Sequence, residues 1–527
     1  MSFWKHRQQI GLAALIMSGS VLLSRIIGLI RDKVISYLFG AGGESDLYFA
    51  AFVVPDVINY LLAGAYFSIT LIPLLAEHFA RDDDDGWRLF SAVFTWVGVL
   101  SVAVTAAAMV AAPQLAPLVA PGADPERLVR LTALLRIVLP AQVAFLLGSC
   151  LTALLYLRKQ FFIPAVTPLI YNGLSIVGGV LLRHRGIEGF CWGVLAGAWA
   201  GNLILPWLAV RRGDGLRLRV CFAHPALRRF AWLALPLMLG QSIAVLDEQF
   251  VRLFGSLAGT GAVSWLNYAR RLTMVPIGVV AQAAGVASFP FMADLVARRD
   301  FDRLHQTVNH TLRNLLTLLI PISAWMMIAA EPTVRLIFEQ GRFGSADTAQ
   351  TAVVLRVFLA MVFCWGVHQL ISRAFYARQD TLTPALIGTV MTVLCLPLYW
   401  LLARLWQATG VAVASVLSIG LYTLVLSAWW ARCHGRAVFA GLPWALLRLA
   451  VLSALAALPG WYLPALVPAS LSARPYLGAL AALVVSLAGF GVPFLMLSML
   501  AIPDLLRPCL ERLGPAGRLV LRCCRRS

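Results

Sequence analysis

Long apolar stretches separated by short polar connectors run along almost the whole chain. The stretches are continuous rather than alternating at every second position, which is the pattern of membrane-crossing helices and not of a strand-built barrel. A helix rising 1.5 Å per residue needs roughly 20 apolar residues to cross the hydrocarbon. Fourteen segments qualify: about 9–39, 46–79, 88–112, 128–156, 162–182, 188–210, 227–254, 261–296, 304–330, 349–376, 382–403, 408–431, 441–467 and 476–503. The pattern predicts an all-α polytopic membrane protein.

Composition agrees. Of 527 residues, 60% are hydrophobic and 13% charged, with a mean hydropathy of +0.81. Soluble proteins carry about 25% charged residues, so soluble, disordered, collagenous and disulfide-scaffold classes are excluded. The net charge of +19 does not point to nucleic acid, because the basic residues sit in connectors. One alternating set of connectors and termini, from Lys5/Arg7 to the tail beyond Arg507, holds 24 basic residues, and the other set holds 7. The positive-inside rule then places both termini of this multi-pass protein in the cytoplasm. Met1–Gln9 is basic, but the apolar helix after it is too long for a cleaved signal peptide and reads as a retained first span. The nine cysteines show no metal-ligand spacing and read as free thiols, Cys523 and Cys524 among them in a basic tail.

Two segments match at an offset of 220 residues: ALLYLRKQFFIPA (Ala153–Ala165) and AFYARQDTLTPA (Ala374–Ala385). A second pair, IPLLAE (Ile72–Glu77) and FPFMAD (Phe289–Asp294), matches at 217. These predict two parallel six-helix bundles, 1–215 and 216–435, then two extra helices over 436–505 and a basic cytoplasmic tail, 506–527. Such a repeat suits a transporter with a cavity between its halves.

Charges in the middle of apolar spans are costly and usually face a cavity or one another. On span 1, SRIIGLIRDK (Ser24–Lys33) places Arg25 near mid-helix, with Ser18, Arg25 and Asp32 seven apart on one face and Ser24 and Arg31 on the next. Gly28 allows a bend there. On span 8, Asn267 and Arg271 share a face, Arg271 is expected toward the cavity, and Arg270 points away toward a carboxylate. On span 7, Glu248 and Arg252 have i,i+4 spacing for a local ion pair, and Asp247 is left for a span 8 arginine or a cation. Arginine forks suit phosphate, so an anionic, pyrophosphate-bearing substrate is expected. No P-loop, HExxH or GxSxG motif is present, so the chain is not read as an enzyme, and no cofactor or metal is assigned. Energy would come from ion gradients or the membrane potential.

Several of these residues lie in segments that resemble a known family. SRIIGLIRDKVISYLFGAGGESDLYFAAFVVPD (Ser24–Asp56), AVSWLNYARRLTMVPIGV (Ala262–Val279), FEQGRFGSAD (Phe338–Asp347) and AFYARQDTLTP (Ala374–Pro384) are similar to the MurJ (MviN) lipid II flippases. That family belongs to the multidrug/oligosaccharidyl-lipid/polysaccharide exporter superfamily. The resemblance implies movement of an undecaprenyl-pyrophosphate-linked peptidoglycan precursor, lipid II, from inner to outer leaflet by alternating access. It implies Arg25, Arg31 and Arg271 as pyrophosphate ligands, Asp32 and Asp46 as functional acids, and spans 13 and 14 as a groove for the lipid tail. The expected partners are lipid II and membrane lipids, with the chain a monomer. Some members bind sodium between spans 7, 11 and 12, where Asp247 would match and span 11 offers only Thr389 and Thr392. The chain departs from the family at Asn59-Tyr60, where one or two arginines are usual, at Met274, where many members have glutamate, and at Arg270, where aspartate is common. Two other readings follow from these departures: an exporter of another polyprenyl-linked oligosaccharide, and a non-transporting membrane scaffold.

Overall fold

In the computed structural model, which describes residues 10–62, 66–214, 217–239, 243–468 and 475–502, helices follow one another with no strand among the described residues. The basic tail expected over 506–527 lies outside them, as do the first nine residues. The chain divides into two units, one of residues 1–241 with 252–264, the other of 242–251 with 265–527.

The first unit opens with α1 (Ile10–Phe39), α2 (Gly43–Ala50), α3 (Val53–Leu62) and α4 (Tyr66–Arg81). It continues through α5 (Asp83–Val110), α6 (Ala112–Val119), α7 (Pro125–Val138), α8 (Ala141–Leu157) and α9 (Phe162–Leu181) to α10 (Glu188–Gly197) and α11 (Leu205–Asp214). A π-helical stretch, Ala198–Ile204, joins the last two. After a segment without regular structure comes α12 (Ala226–Leu239). Leu71, Leu75, Phe90, Leu151 and Leu154 form the core between α4, α5 and α8. The α9–α10 pair packs by a different device. Gly189, Gly193 and Gly197 recur every four residues on α10, and a Cβ on Gly193 would lie 2.6 Å from the Leu174 carbonyl oxygen. Small residues at this spacing let membrane helices approach backbone to backbone.

Past α13 (Ile243–Gly255) and α14 (Ala262–Pro276), the second unit holds α15 (Ala283–Ala297), α16 (Phe301–Ile328), α17 (Ala330–Phe338), α18 (Ser345–Ala360) and α19 (Val362–Ala377). It ends with α20 (Leu382–His434), α21 (Leu442–Tyr462) and α22 (Pro475–Ala501). α20 is two helices joined at Trp406 and Gln407, whose backbone leaves the helical region, as expected for separate spans over 382–403 and 408–431.

Nine helical stretches among the described residues are long and apolar enough to cross a membrane, and a tenth is formed if α18 and α19, bent by 42°, make one span. The sequence pattern predicts fourteen. Of the difference, α20 counts once although it covers two expected spans, the expected seventh span is divided between α12 and α13 with residues 240–242 outside the described set, and the stretches expected over 9–39 and 261–296 are not among those that qualify.

The matching segments fold alike. In one, Arg158, Lys159 and Gln160 donate backbone N–H bonds to Leu154, Tyr156 and Leu155. In the other, Arg378, Gln379 and Asp380 donate to Ala374, Tyr376 and Phe375. Lys159 and Gln379, 220 residues apart, both take positive φ, 59° and 63°. Both turns close a helix with a left-handed residue.

Candidate functional site

Several charged residues of the apolar spans sit in polar clusters. On α1, Gly28, Asp32, Ile35 and Ser36 are buried while Arg25 is exposed. Arg25 and Asp32 share a helical face by spacing, yet their surroundings differ, because only the later half of that face is covered by packing. Arg25 is the sixteenth residue of the 30-residue α1. The side chain of Ser18 is outside the described set.

Arg31 turns toward neighbouring polar groups. Its Nε and Nη2 donate to Asp32 Oδ1 at 3.2 and 3.0 Å, and its Nη1 donates to Asn172 Oδ1 at 3.2 Å. Asn172, on α9, passes the network on by donating to Ser24 Oγ (3.4 Å) and Pro168 O (3.0 Å). Arg31 and Asp32 thus cancel in charge. The sequence singled out both but missed Asn172, whose signal is an amide inside the apolar run TPLIYNGLSIVGG. A Cβ on Gly28 would sit 4.0 Å from Asn172 Oδ1, an ordinary contact, so α1 does not need glycine there for close approach.

Asp46 serves as a remote cap for α14. It accepts from Gly261 N (2.5 Å), Ser264 N (2.8 Å) and Ser264 Oγ (2.6 Å), satisfying orphan donors at a helix start. Arg252 Nη1 lies 2.7 Å from Asp56 Oδ2, a partner on α3 that local i,i+4 spacing could not point to. Asn59, also on α3, is half-buried.

In the second unit Asp247 is fully buried. Its Oδ2 receives Arg270 Nη1 at 2.5 Å and Ser415 Oγ at 3.0 Å, and its Oδ1 receives the Tyr399 hydroxyl. The Arg270 guanidinium also lies 5.6 Å from the centre of the Trp365 ring. On the same helix Arg271 is exposed, and Asn267 is half-buried, as is Glu248 on α13. Tyr399, Ser415 and Trp365 were not legible in the sequence as members of this cluster.

A sodium ion does not fit these residues. A guanidinium already sits against the Asp247 carboxylate, and a second cation there would be repelled. Thr389 and Thr392 donate their hydroxyl protons to Ala385 and Gly388 carbonyls of their own helix.

The family model for the lipid II flippase MurJ matches residues 35–479. A probable lipid II flippase MurJ of Vibrio cholerae is 26% identical over 431 residues, covering 79% of this chain and 81% of that one. The lipid II flippase MurJ of Burkholderia cenocepacia is 28% identical over 392 residues, covering 71% and 75%. Among solved structures, a lipid II flippase MurJ in an inward closed conformation superposes with a TM-score of 0.75 at 21% identity, covering 93% of this chain and 99% of that one. An inward-facing MATE family multidrug resistance transporter of the MOP superfamily gives 0.65 at 18% identity, covering 83% and 98%. With a fold of that kind and a family match across most of its length, the chain belongs to the MurJ lipid II flippase family.

Proposed function

We propose that this protein moves lipid II from the inner to the outer leaflet of the bacterial cytoplasmic membrane by alternating access, as a monomer with both termini cytoplasmic. It acts as a transporter and catalyses no covalent chemistry. The observation that carries the reading is Arg25, exposed at the midpoint of α1 inside an otherwise apolar stretch. An arginine at such depth is tolerated when it faces water or an anion, and a pyrophosphate supplies the anion. Arg271 on α14, also exposed, offers a second fork. Arg31 contributes differently: with Asp32 and Asn172 it forms a charge-balanced polar group beside Ser24.

Binding of the pyrophosphate would offset the positive charge of these arginines and favour closure. The test is complementation of a conditional flippase-null bacterium, read together with the accessibility of lipid II in the outer leaflet. The wild-type chain is expected to restore growth and outer-leaflet lipid II, and Arg25→Ala and Arg271→Ala are expected to restore neither at equal protein levels. Growth on both variants would remove the assignment of the arginines. Failure of the wild-type chain to restore outer-leaflet lipid II would remove lipid II as the substrate.

A further inference from the structure

Outside the polar groups of the spans, three side chains from separate segments meet at one end of the first unit. His78 is in the last turn of α4, Asp85 in the first turn of α5, and His224 just ahead of α12. Their ligand atoms all lie within 4.8 Å of one another. His78 Nδ1 is 2.6 Å from Asp85 Oδ2, and His224 Nε2 is 3.2 Å from Asp85 Oδ1. The two imidazoles stand edge to face, ring centres 5.3 Å apart. No sequence motif marks the group, because 139 residues separate His224 from Asp85.

We propose that His78, Asp85 and His224 form a binding site for a divalent first-row transition metal of the zinc type. Two imidazole nitrogens and one carboxylate are a donor set that zinc accepts, with bonds of about 2.0–2.2 Å. Tetrahedral bonds of that length set ligand atoms about 3.3 Å apart. The His224 contact, to Oδ1, is already near that length, and the His78 contact, to Oδ2, is shorter; on loading the Asp85 carboxylate turns to offer one oxygen to the metal and the His78 ring moves back by well under an ångström. A hard cation such as Mg²⁺ would prefer an all-oxygen set. The side chains of His78 and His224 are 13% and 5% exposed and that of Asp85 is 39% exposed. The rings are therefore held by packing while the carboxylate side stays open to solvent, which leaves the fourth position to water. Three protein ligands and an open position make a reversible site rather than a closed structural one.

Loading fixes the tautomer of each ring. Each ring must present an unprotonated nitrogen to the metal, so His78 carries its proton on Nε2 and His224 on Nδ1. His224 Nδ1 in the metal-free form accepts from Ala226 N at 3.2 Å. That bond opens on loading, and the first turn of α12 exchanges a cap for a metal bond.

The site also has a mechanical consequence. The segment leading to His224 lies along α5: Arg219 N donates to Ser91 Oγ (3.2 Å), Cys221 N to Thr95 Oγ1 (3.4 Å), and Trp96 Nε1 to the Phe222 carbonyl (3.0 Å). The side chains of Arg217 and Asp83 approach to 3.6 Å. A metal at His224 would staple the end of this strap to the α4–α5 turn.

The experiment uses the full chain in detergent, stripped with a chelator and titrated with Co²⁺ followed by visible absorption, then with Zn²⁺ in competition. Wild type is expected to give the absorption of four-coordinate Co²⁺ at one equivalent, displaced by Zn²⁺. His78→Ala and His224→Ala should each weaken binding by at least about tenfold, and the double variant should abolish it. Asp85→Asn preserves shape and guards against misfolding, and should weaken binding too. His184→Ala, in the Arg183–Arg185 turn, should bind as wild type does. Zn²⁺ should slow tryptic cleavage at Arg217 and Arg219 in wild type and His184→Ala but not in the double His78→Ala/His224→Ala variant. Wild-type binding no stronger than that of the double variant overturns the proposal, including the case in which the three residues form only a metal-free hydrogen-bonded latch. The readout is independent of transport.

Discussion

Arg270 Nη1 and Asp247 Oδ2 lie 2.5 Å apart with the Asp247 side chain fully buried and that of Arg270 8% exposed. The pair neutralises the only acid that the sequence left open for either an arginine or a cation on span 7. Breaking a buried pair on one side strands the other charge, at about 3–5 kcal/mol. Asp247→Ala and Arg270→Ala should therefore each lower thermal stability in detergent sharply. The double Asp247→Ala/Arg270→Ala variant should lose less than the sum of the single losses, as a double-mutant cycle would show. Additive losses would mean that the two side chains do not act as a unit.

Asp46 holds three donors at the start of α14. Asp46→Ala should cost about 1–3 kcal/mol, since buried donors lose their acceptor, while Ser264→Ala removes one of the three bonds and should cost less. Melting of the purified variants orders the two, and the reverse order would refute the capping role.

The arginines of α1 should separate stability from transport. Arg25 is exposed and Arg31 is tied to Asp32 and Asn172. Arg25→Ala is expected to melt as wild type does and fail complementation. Arg31→Ala leaves Asp32 buried beside an empty space and should lower the melting temperature as well. Equal stability for both would show that the Arg31 network contributes nothing to the fold.

Glycines give a steric test. A Cβ at Gly178 would stand 2.5 Å from Gly193 Cα, and one at Gly193 would stand 2.6 Å from the Leu174 carbonyl oxygen. Gly193→Ala must push α9 and α10 apart, costing about 1–3 kcal/mol. Gly28→Ala meets only Asn172 Oδ1 at 4.0 Å and should be neutral or mildly stabilising, because alanine orders a helix better than glycine. Melting curves of the two variants distinguish these outcomes.

Hydropathy and spacing by themselves determined that the chain is helical and membrane-embedded, where most helices run, and which spans carry charge. Those properties are local: a crossing helix must be apolar over its own length, whatever surrounds it. The repeated turns at Lys159 and Gln379 were legible for the same reason, since each closes its own helix. Tertiary structure decided the partners. Asn172 reaches Arg31 across 141 residues, Arg252 takes Asp56 across 196, and Tyr399 reaches Asp247 across 152. Helical spacing says which side chains share a face, but whether that face meets protein depends on packing against distant segments. For that reason Arg25 is exposed and Asp32 buried, seven residues apart on one helix, and His78, Asp85 and His224 became neighbours without any motif to announce them.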